Sequence, residues 1–254
     1  MKEQWRLLIT ENNSAYTNMA MDRAELVSVS EGKAPPTVRF FTWKPAAISI
    51  GYFQSLNEEV DLAACKNLGV DYVRRITGGG AVYHDKELTY SIVIPESHGQ
   101  IPKNIMQSYG RICRAIIKGL NQLDIQSKYV PINDIIANGK KISGNAQTRK
   151  LKTVLQHGTI LLDVDVEEMF SLLIVPNEKI RDKMISDVKQ RVTSVKHILG
   201  KDIGFKNIAD AMKIGFEEEF NIELNEGTFT EEEIELTNKF EREFFSTKEW
   251  NHKR

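Results

Sequence analysis

Three short segments of this 254-residue chain combine residue types that can do chemistry. The first is Arg74-Arg75-Ile76-Thr77-Gly78-Gly79-Gly80-Ala81-Val82-Tyr83-His84-Asp85. Three consecutive glycines let a backbone approach a ligand closely and turn its N–H groups toward an oxygen anion. Arg74 and Arg75 precede the turn; on a strand they face opposite ways, so at most one reaches a ligand held there. The second segment runs from Asn133-Asp134 through Asn138-Gly139-Lys140-Lys141-Ile142-Ser143-Gly144-Asn145-Ala146-Gln147. A lysine followed by small residues can aim its ammonium at a phosphate or carboxylate, and that compact charge suits a reaction developing negative charge. The third is Gln156-His157-Gly158-Thr159, a lone histidine in a strand, a setting more often structural than catalytic. The glycine spacing fits neither a mononucleotide P-loop nor a dinucleotide-binding turn.

These segments need a scaffold. The runs Trp5–Thr10, Val38–Trp43, Ala46–Phe53, Tyr72–Ile76, Ala81–His84 and Leu88–Ile94 read as strands, and β-rich sequence returns over 128–163. Alternation within Leu88–Ile94 predicts one better-buried face. Asn138-Gly139 predicts a hairpin between Ile135-Ile136 and Lys141-Ile142. Helices are predicted from a capping Ser14 to a stop at Gly32, and over 104–124, 166–174, 177–186, 206–220 and 230–246. In 104–124, Ile105, Tyr109, Ile112, Ile116, Leu120 and Leu123 recur at helical spacing. Thr230 and Glu233 form a capping box. Strands come early and helices late, without βαβ alternation or an internal repeat. The prediction is a single α+β domain over 1–254, with a central mixed, largely antiparallel sheet flanked by helices.

Composition removes several function classes. A formal net charge of −1 lacks the global basic signature of a nucleic-acid binder. Cys65 and Cys113 stand apart, with no second cysteine near either, which fits neither a disulfide framework nor a zinc site. No run reaches the roughly 18–20 apolar residues of a membrane span, and the first residues lack a signal peptide's apolar core. A cytoplasmic protein with no nucleic-acid or membrane partner is expected. Charge is uneven: residues 128–157 carry a net +5 and residues 201–254 a net −6, the latter read as a solvated helical surface.

Together, Arg74–Asp85, Lys141–Ala146 and Gln156–Thr159 resemble the motifs of the lipoate–protein ligase A family, in the biotin/lipoate protein ligase superfamily. The likeness extends through Asn18-Met19-Ala20-Met21-Asp22, Ile50-Gly51-Tyr52-Phe53-Gln54, Arg191-Val192-Thr193 and Glu249-Trp250-Asn251. The resemblance implies a fold like the biotin/lipoyl synthetases, themselves similar to class II aminoacyl-tRNA synthetases. It implies an ATP- and Mg²⁺-dependent ligase that activates lipoate as lipoyl-adenylate. A lysine of a lipoyl-domain acceptor then attacks the carbonyl to form an amide. Acceptors of this kind are 2-oxoacid dehydrogenase E2 subunits and glycine cleavage H protein. By the same resemblance Arg75, Thr77, Gly78, Gly79, Gly80, His84, Asp85, Lys141, Gly144 and His157 bind the lipoyl-adenylate. Lys141 is the expected catalytic residue, neutralising the carboxylate–phosphate junction; metal ligands stay unassigned. The adenylate is already activated, so positioning and electrostatics can carry the reaction without an enzyme nucleophile.

Two departures qualify the likeness. The sequence ends just after Glu249-Trp250-Asn251, where many members continue into a small C-terminal domain; an absent domain and a small accessory subunit for adenylation are expected. Gln147-Thr148-Arg149 lies where some relatives have an aromatic followed by arginine, leaving open whether Arg149 replaces it. The main alternative is an octanoyltransferase of the same superfamily, moving octanoate from acyl carrier protein to a lipoyl domain. Such enzymes form an acyl-thioester on a cysteine. Cys65 and Cys113 lie near neither the glycine turn nor the lysine loop in sequence, so the ligase is the favoured reading. A biotin–protein ligase would carry a different glycine-rich loop, and a non-enzymatic lipoate-binding module would keep the pocket without turnover.

Overall fold

Alternation and turn chemistry place the strands much where the sequence predicts them. The computed structural model describes residues 2–175 and 177–254. β1 (Glu3–Asn13) leads through α1 (Ala15–Ser30) to β2 (Thr37–Trp43) and β3 (Ala47–Ile50). Two short helices, α2 (Leu56–Glu59) and α3 (Leu62–Leu68), precede β4 (Asp71–Arg74), β5 (Val82–His84) and β6 (Glu87–Pro95). After α4 (Ile105–Asn121) come β7 (Ser127–Val130), β8 (Asp134–Ala137), β9 (Lys140–Lys150) and β10 (Thr153–Leu161). Next are α5 (Val166–Ser171), α6 (Glu178–Arg191), α7 (Val195–Leu199) and α8 (Phe205–Phe220). β11 (Ile222–Glu226), α9 (Glu231–Phe240) and α10 (Lys248–Asn251) complete the chain's elements.

The fold is α+β. Eight strands form one sheet in the order β11-β1-β2-β6-β10-β9-β8-β7, and three form a second in the order β4-β3-β5. The large sheet is parallel across β11, β1 and β2 and antiparallel from β2 onward. One of its faces packs on α4 and α8 through Tyr90, Ile92, Ile112, Ile116, Met212 and Phe216. The other packs on α1 through Met19, Leu26, Phe41, Val93 and Leu155. The small sheet rests on α2 and α3 through Ile48, Leu56 and Cys65.

Local signals explain the boundaries. The Ser14 hydroxyl accepts the Thr17 N–H at the start of α1, and Gly32 follows its end with φ +70°. The Thr230–Glu233 capping box forms in full. Asn138 and Gly139 both take positive φ, as a tight β8–β9 hairpin requires.

Four expectations are corrected. β6 is buried on both faces, because it sits mid-sheet between β2 and β10 with helices on either side. Ile105 is exposed: it opens α4 before the helix reaches the sheet. The helix predicted over 230–246 changes at Glu241 to a π-helical turn, Glu241–Phe245, which buries Phe245. The acidic C-terminal region is also less uniformly solvated than predicted, since Glu219 and Glu233 are buried against Arg111 and Arg6 respectively.

Candidate functional site

A cavity lies between the large sheet and the small one, beside α1. The space it opens onto is about 640 Å³, part of it outside solvent. Met19 of α1, Trp43, Thr89, Asn145, Ala146 and His157–Thr159 form one side. Ser49 and the segment from the glycine turn to His84 form the other, and Lys141 and Asn133 also border it.

Of the residues the sequence singles out, Arg75, Gly79, Gly80, His84, Lys141, Gly144 and His157 line this cavity. Thr77 and Gly78 do not line it; Thr77 stands behind the wall, fully buried. Asp85 lies outside it and borders a separate depression with Lys86 and Glu87, where burial pushes its carboxyl upward.

The paired arginines diverge as strand geometry requires. Arg74 is fully buried and donates to the carbonyls of Gly51, Tyr52 and Gln54, and to those of Trp250 and Asn251. Trp250 Nε1 and Asn251 Oδ1 return bonds to the Arg74 backbone at 2.8 Å each. The Glu249-Trp250-Asn251 run thereby clamps the strand entering the glycine turn. Arg75 faces the cavity, but its guanidinium is committed to the wall. Nη1 donates to the Ser49 carbonyl and hydroxyl, Nη2 to the carbonyls of Gly78 and Gly80, and Nε to Thr77 Oγ1. Those bonds use every N–H that the side chain has. Burial pushes its pKa down to about 10. Arg75 therefore shapes the turn. Gly79 adopts φ +101°, and its carbonyl would lie 2.0 Å from a Cβ on Gly51, so the turn requires glycine at both places.

Two chains of carboxylate, imidazole and hydroxyl run through the wall. Asp22 Oδ2 lies 2.8 Å from His157 Nδ1, and His157 Nε2 lies 2.7 Å from Thr77 Oγ1. Glu87 Oε1 lies 2.6 Å from His84 Nδ1, and His84 Nε2 lies 2.6 Å from Ser49 Oγ. Trp43 stacks on His84 with ring centroids 4.0 Å apart. Burial, only partly offset by Asp22, holds the His157 imidazole below its ordinary pKa.

A bulge sets the lysine. Asp134 pairs with Gly144 and Ile135 with Ser143, but Ile136 pairs with Lys141, leaving Ile142 as the extra residue. Lys141 and Gly144, three apart, would face opposite ways in a regular strand. The bulge brings them together: a Cβ on Gly144 would sit 2.9 Å from Lys141 Nζ. Nζ makes an ionic contact of 2.7 Å with Asp134 Oδ1. The Thr193 N–H donates to the Lys141 carbonyl at 2.8 Å, which explains what Arg191-Val192-Thr193 contributes.

Other candidates fall elsewhere. Arg149 points to α4, donating to the Pro102 carbonyl and Ser108 Oγ. Cys65 and Cys113 are buried outside the cavity, and burial pushes their thiols up to about 11 and about 12. Among the described residues no group of three or more His, Cys, Asp or Glu is placed to hold a metal ion. No described helix is long and apolar enough to cross a membrane.

Sequence reasoning missed Ser49, Glu87 and the role of Asp22. Asp22 carried a signal: an acidic residue inside the Asn18–Asp22 run, on the core-facing side of a helix.

Residues 14–217 match the lipoyl protein ligase A/B catalytic domain. The chain is 38% identical to the octanoyltransferase LipM of Brevibacillus brevis, over 99% of this chain and 100% of the relative. It is 33% identical to the octanoyltransferase LipM of Bacillus subtilis, over 100% and 99%. Among solved structures, the bi-partite lipoate protein ligase of Thermoplasma acidophilum superposes with a TM-score of 0.90 at 32% identity, covering 98% of this chain and 96% of that one. A lipoate-protein ligase A bound with ATP superposes with a TM-score of 0.83 at 30% identity, over 99% of both. The full-length curated relatives overturn the expectation of an ATP-dependent lipoate ligase, since they are named octanoyltransferases. What stands is an enzyme of protein lipoylation: this chain belongs to the lipoyl protein ligase A/B catalytic-domain family, within the biotin/lipoate protein ligase superfamily.

Proposed function

We propose that this chain is an octanoyltransferase, moving an octanoyl group from the thioester of acyl carrier protein to a lysine of a lipoyl-domain protein. Its full-length similarity, at 33–38% identity, to relatives of that name carries the reading. Acceptors would be 2-oxoacid dehydrogenase E2 subunits, glycine cleavage H protein or similar lipoyl domains.

The site suits acyl transfer. When a neutral lysine amine attacks the thioester carbonyl, a C–N bond forms, and the carbonyl oxygen takes up negative charge. Lys141 at the cavity wall supplies a cation to meet it. The C–S bond then breaks, and the proton lost by the amine passes to the departing thiolate. A thioester carries its own activation, so no adenylate is formed and ATP and Mg²⁺ have no role. The ATP bound in the solved lipoate-protein ligase A is a ligand of that protein. The acyl-cysteine expected of such enzymes has no thiol to form on in this cavity, since Cys65 and Cys113 are buried outside it, so direct transfer from thioester to lysine is the route this reading takes.

Incubation of the chain with octanoyl–acyl carrier protein and a lipoyl domain, without ATP, tests this. Mass spectrometry should find one octanoyl group on the acceptor. Modification that appears only with free acid and ATP, or never, refutes the proposal.

A further inference from the structure

We propose that Asp22 is a positioning residue: it fixes His157 as the Nδ1–H tautomer and, through Thr77, holds the glycine turn against the cavity. Arg39 is what makes a carboxylate obligatory at that place. The tautomer is independent of the acyl-transfer reading; only its consequence for turnover rests on that reading.

The argument is one of donors and acceptors. Arg39 is fully buried on β2, and its guanidinium can only donate. Arg39 Nη2 donates to Asp22 Oδ1 at 2.6 Å. Asp22 Oδ2 is left to face His157 Nδ1 at 2.8 Å. Burial alone would raise the Asp22 carboxyl, but Arg39 and His157 outweigh it and hold it below its ordinary value. An ionised carboxylate accepts only, so Nδ1 must carry the proton. Nε2 then offers a lone pair, and the Thr77 hydroxyl, 2.7 Å away, must donate to it. Thr77 Oγ1 in turn accepts from Arg75 Nε at 3.3 Å. Thr77 is thus held from both sides, and its carbonyl accepts the Tyr52 N–H at 2.8 Å. Every hydrogen in this buried chain has a single direction.

Glu25 does not replace Asp22 in this role. Its Oε1 lies 2.7 Å from Arg39 Nε, yet the N–H is not aimed at it and no hydrogen bond forms. Burial pushes the Glu25 carboxyl up to about 8, which leaves Asp22 to balance Arg39 at neutral pH.

Asparagine at position 22 would reverse the chain. Its one acceptor must turn to Arg39, so its NH₂ would face His157 Nδ1 and drive the ring proton to Nε2. Thr77 Oγ1 would then receive two donors, and its own hydrogen would lose its acceptor. The turn it anchors should shift, and misplacement of about 1 Å at a reactive site costs on the order of 100-fold.

The experiment uses the full chain, uniformly ¹⁵N-labelled, and first reads the wild type. His157 should show a protonated Nδ1 and an unprotonated Nε2; the opposite pattern overturns the proposal without any variant. Asp22→Asn should exchange the two nitrogen signals, move the Gly79 amide resonance, and lower kcat for acyl transfer about 10- to 100-fold. Thr77→Val, which removes the Nε2 partner but keeps Asp22, should retain the Nδ1–H tautomer; a switch there would also overturn the assignment. An exchanged tautomer with an unmoved Gly79 resonance would refute the link to the turn. Wild-type protein without transferase activity would refute the acyl-transfer reading, with the tautomer still decided by the nitrogen signals.

Discussion

Replacing Lys141 by alanine separates the electrostatics of the reaction from the stability of the fold. The lysine side chain is 39% exposed, and its partner Asp134 is 35% exposed. An ion pair so open to water is worth about 0–1 kcal/mol. Lys141 also holds its strand through backbone groups, since its carbonyl accepts the Thr193 N–H, and alanine keeps that bond. Urea unfolding of Lys141→Ala should therefore match the wild type within about 1 kcal/mol. Turnover should respond very differently. Loss of a preorganised charge at a developing oxyanion costs about 100- to 1,000-fold, or roughly 2.7–4 kcal/mol. Initial rates of octanoyl transfer to a lipoyl domain, followed by mass spectrometry at saturating donor, read this directly. A folded Lys141→Ala protein turning over at near wild-type rate would refute both the role of Lys141 and the charge-stabilisation argument behind it.

Further expectations follow from other parts of the wall. The double variant Cys65→Ser, Cys113→Ser should keep octanoyl transfer and show intersecting rather than ping-pong kinetics; a folded but inactive double variant would reinstate an acyl-cysteine route. Gly51→Ala puts a methyl 2.0 Å from the Gly79 carbonyl, so it should cost roughly 1–3 kcal/mol in chemical denaturation and abolish transfer, and a fully active variant would contradict the packing described. Glu25 has its folded pKa raised to about 8 from an unfolded value near 4.3, so the folded state binds the extra proton. Its contribution to stability is full below about pH 4 and is lost as pH rises toward about 8. Glu25→Gln should accordingly flatten the fall in urea midpoint between pH 5 and pH 8, and an unchanged slope would place the titration elsewhere.

Much of the scaffold was legible because its signals are local. Ser14 and Gly32 bracket α1, Asn138-Gly139 closes a hairpin, and alternation marks β6, since each depends on torsions and neighbours within a few residues. The divergence of Arg74 and Arg75 followed from strand pleat alone. What failed was also physical in origin. Periodicity could not tell that β6 is covered on both faces, because that depends on which layers pack against it. Nor could it foresee that Ile105 precedes the buried part of α4. The preference for a ligase rested on the placement of two cysteines. The structure does bury both away from the cavity, yet the full-length relatives are named octanoyltransferases, which the cysteine placement could not foresee.

The sequence by itself determined the glycine turn, the lysine loop and the histidine strand, because backbone freedom and charge are properties of the residues in place. Tertiary structure alone decided what those residues touch. Asp22 meets His157 across 135 positions, and Asn251 meets Arg74 across 177. Arg75 spends its donors on the wall, Asp85 falls outside the cavity, and a bulge at Ile142 swings Lys141 to the face of Gly144. The reason is that hydrogen-bond partners are chosen by strand order and register. Those are set by the burial of whole faces at once, a sum over the molecule that no local window contains.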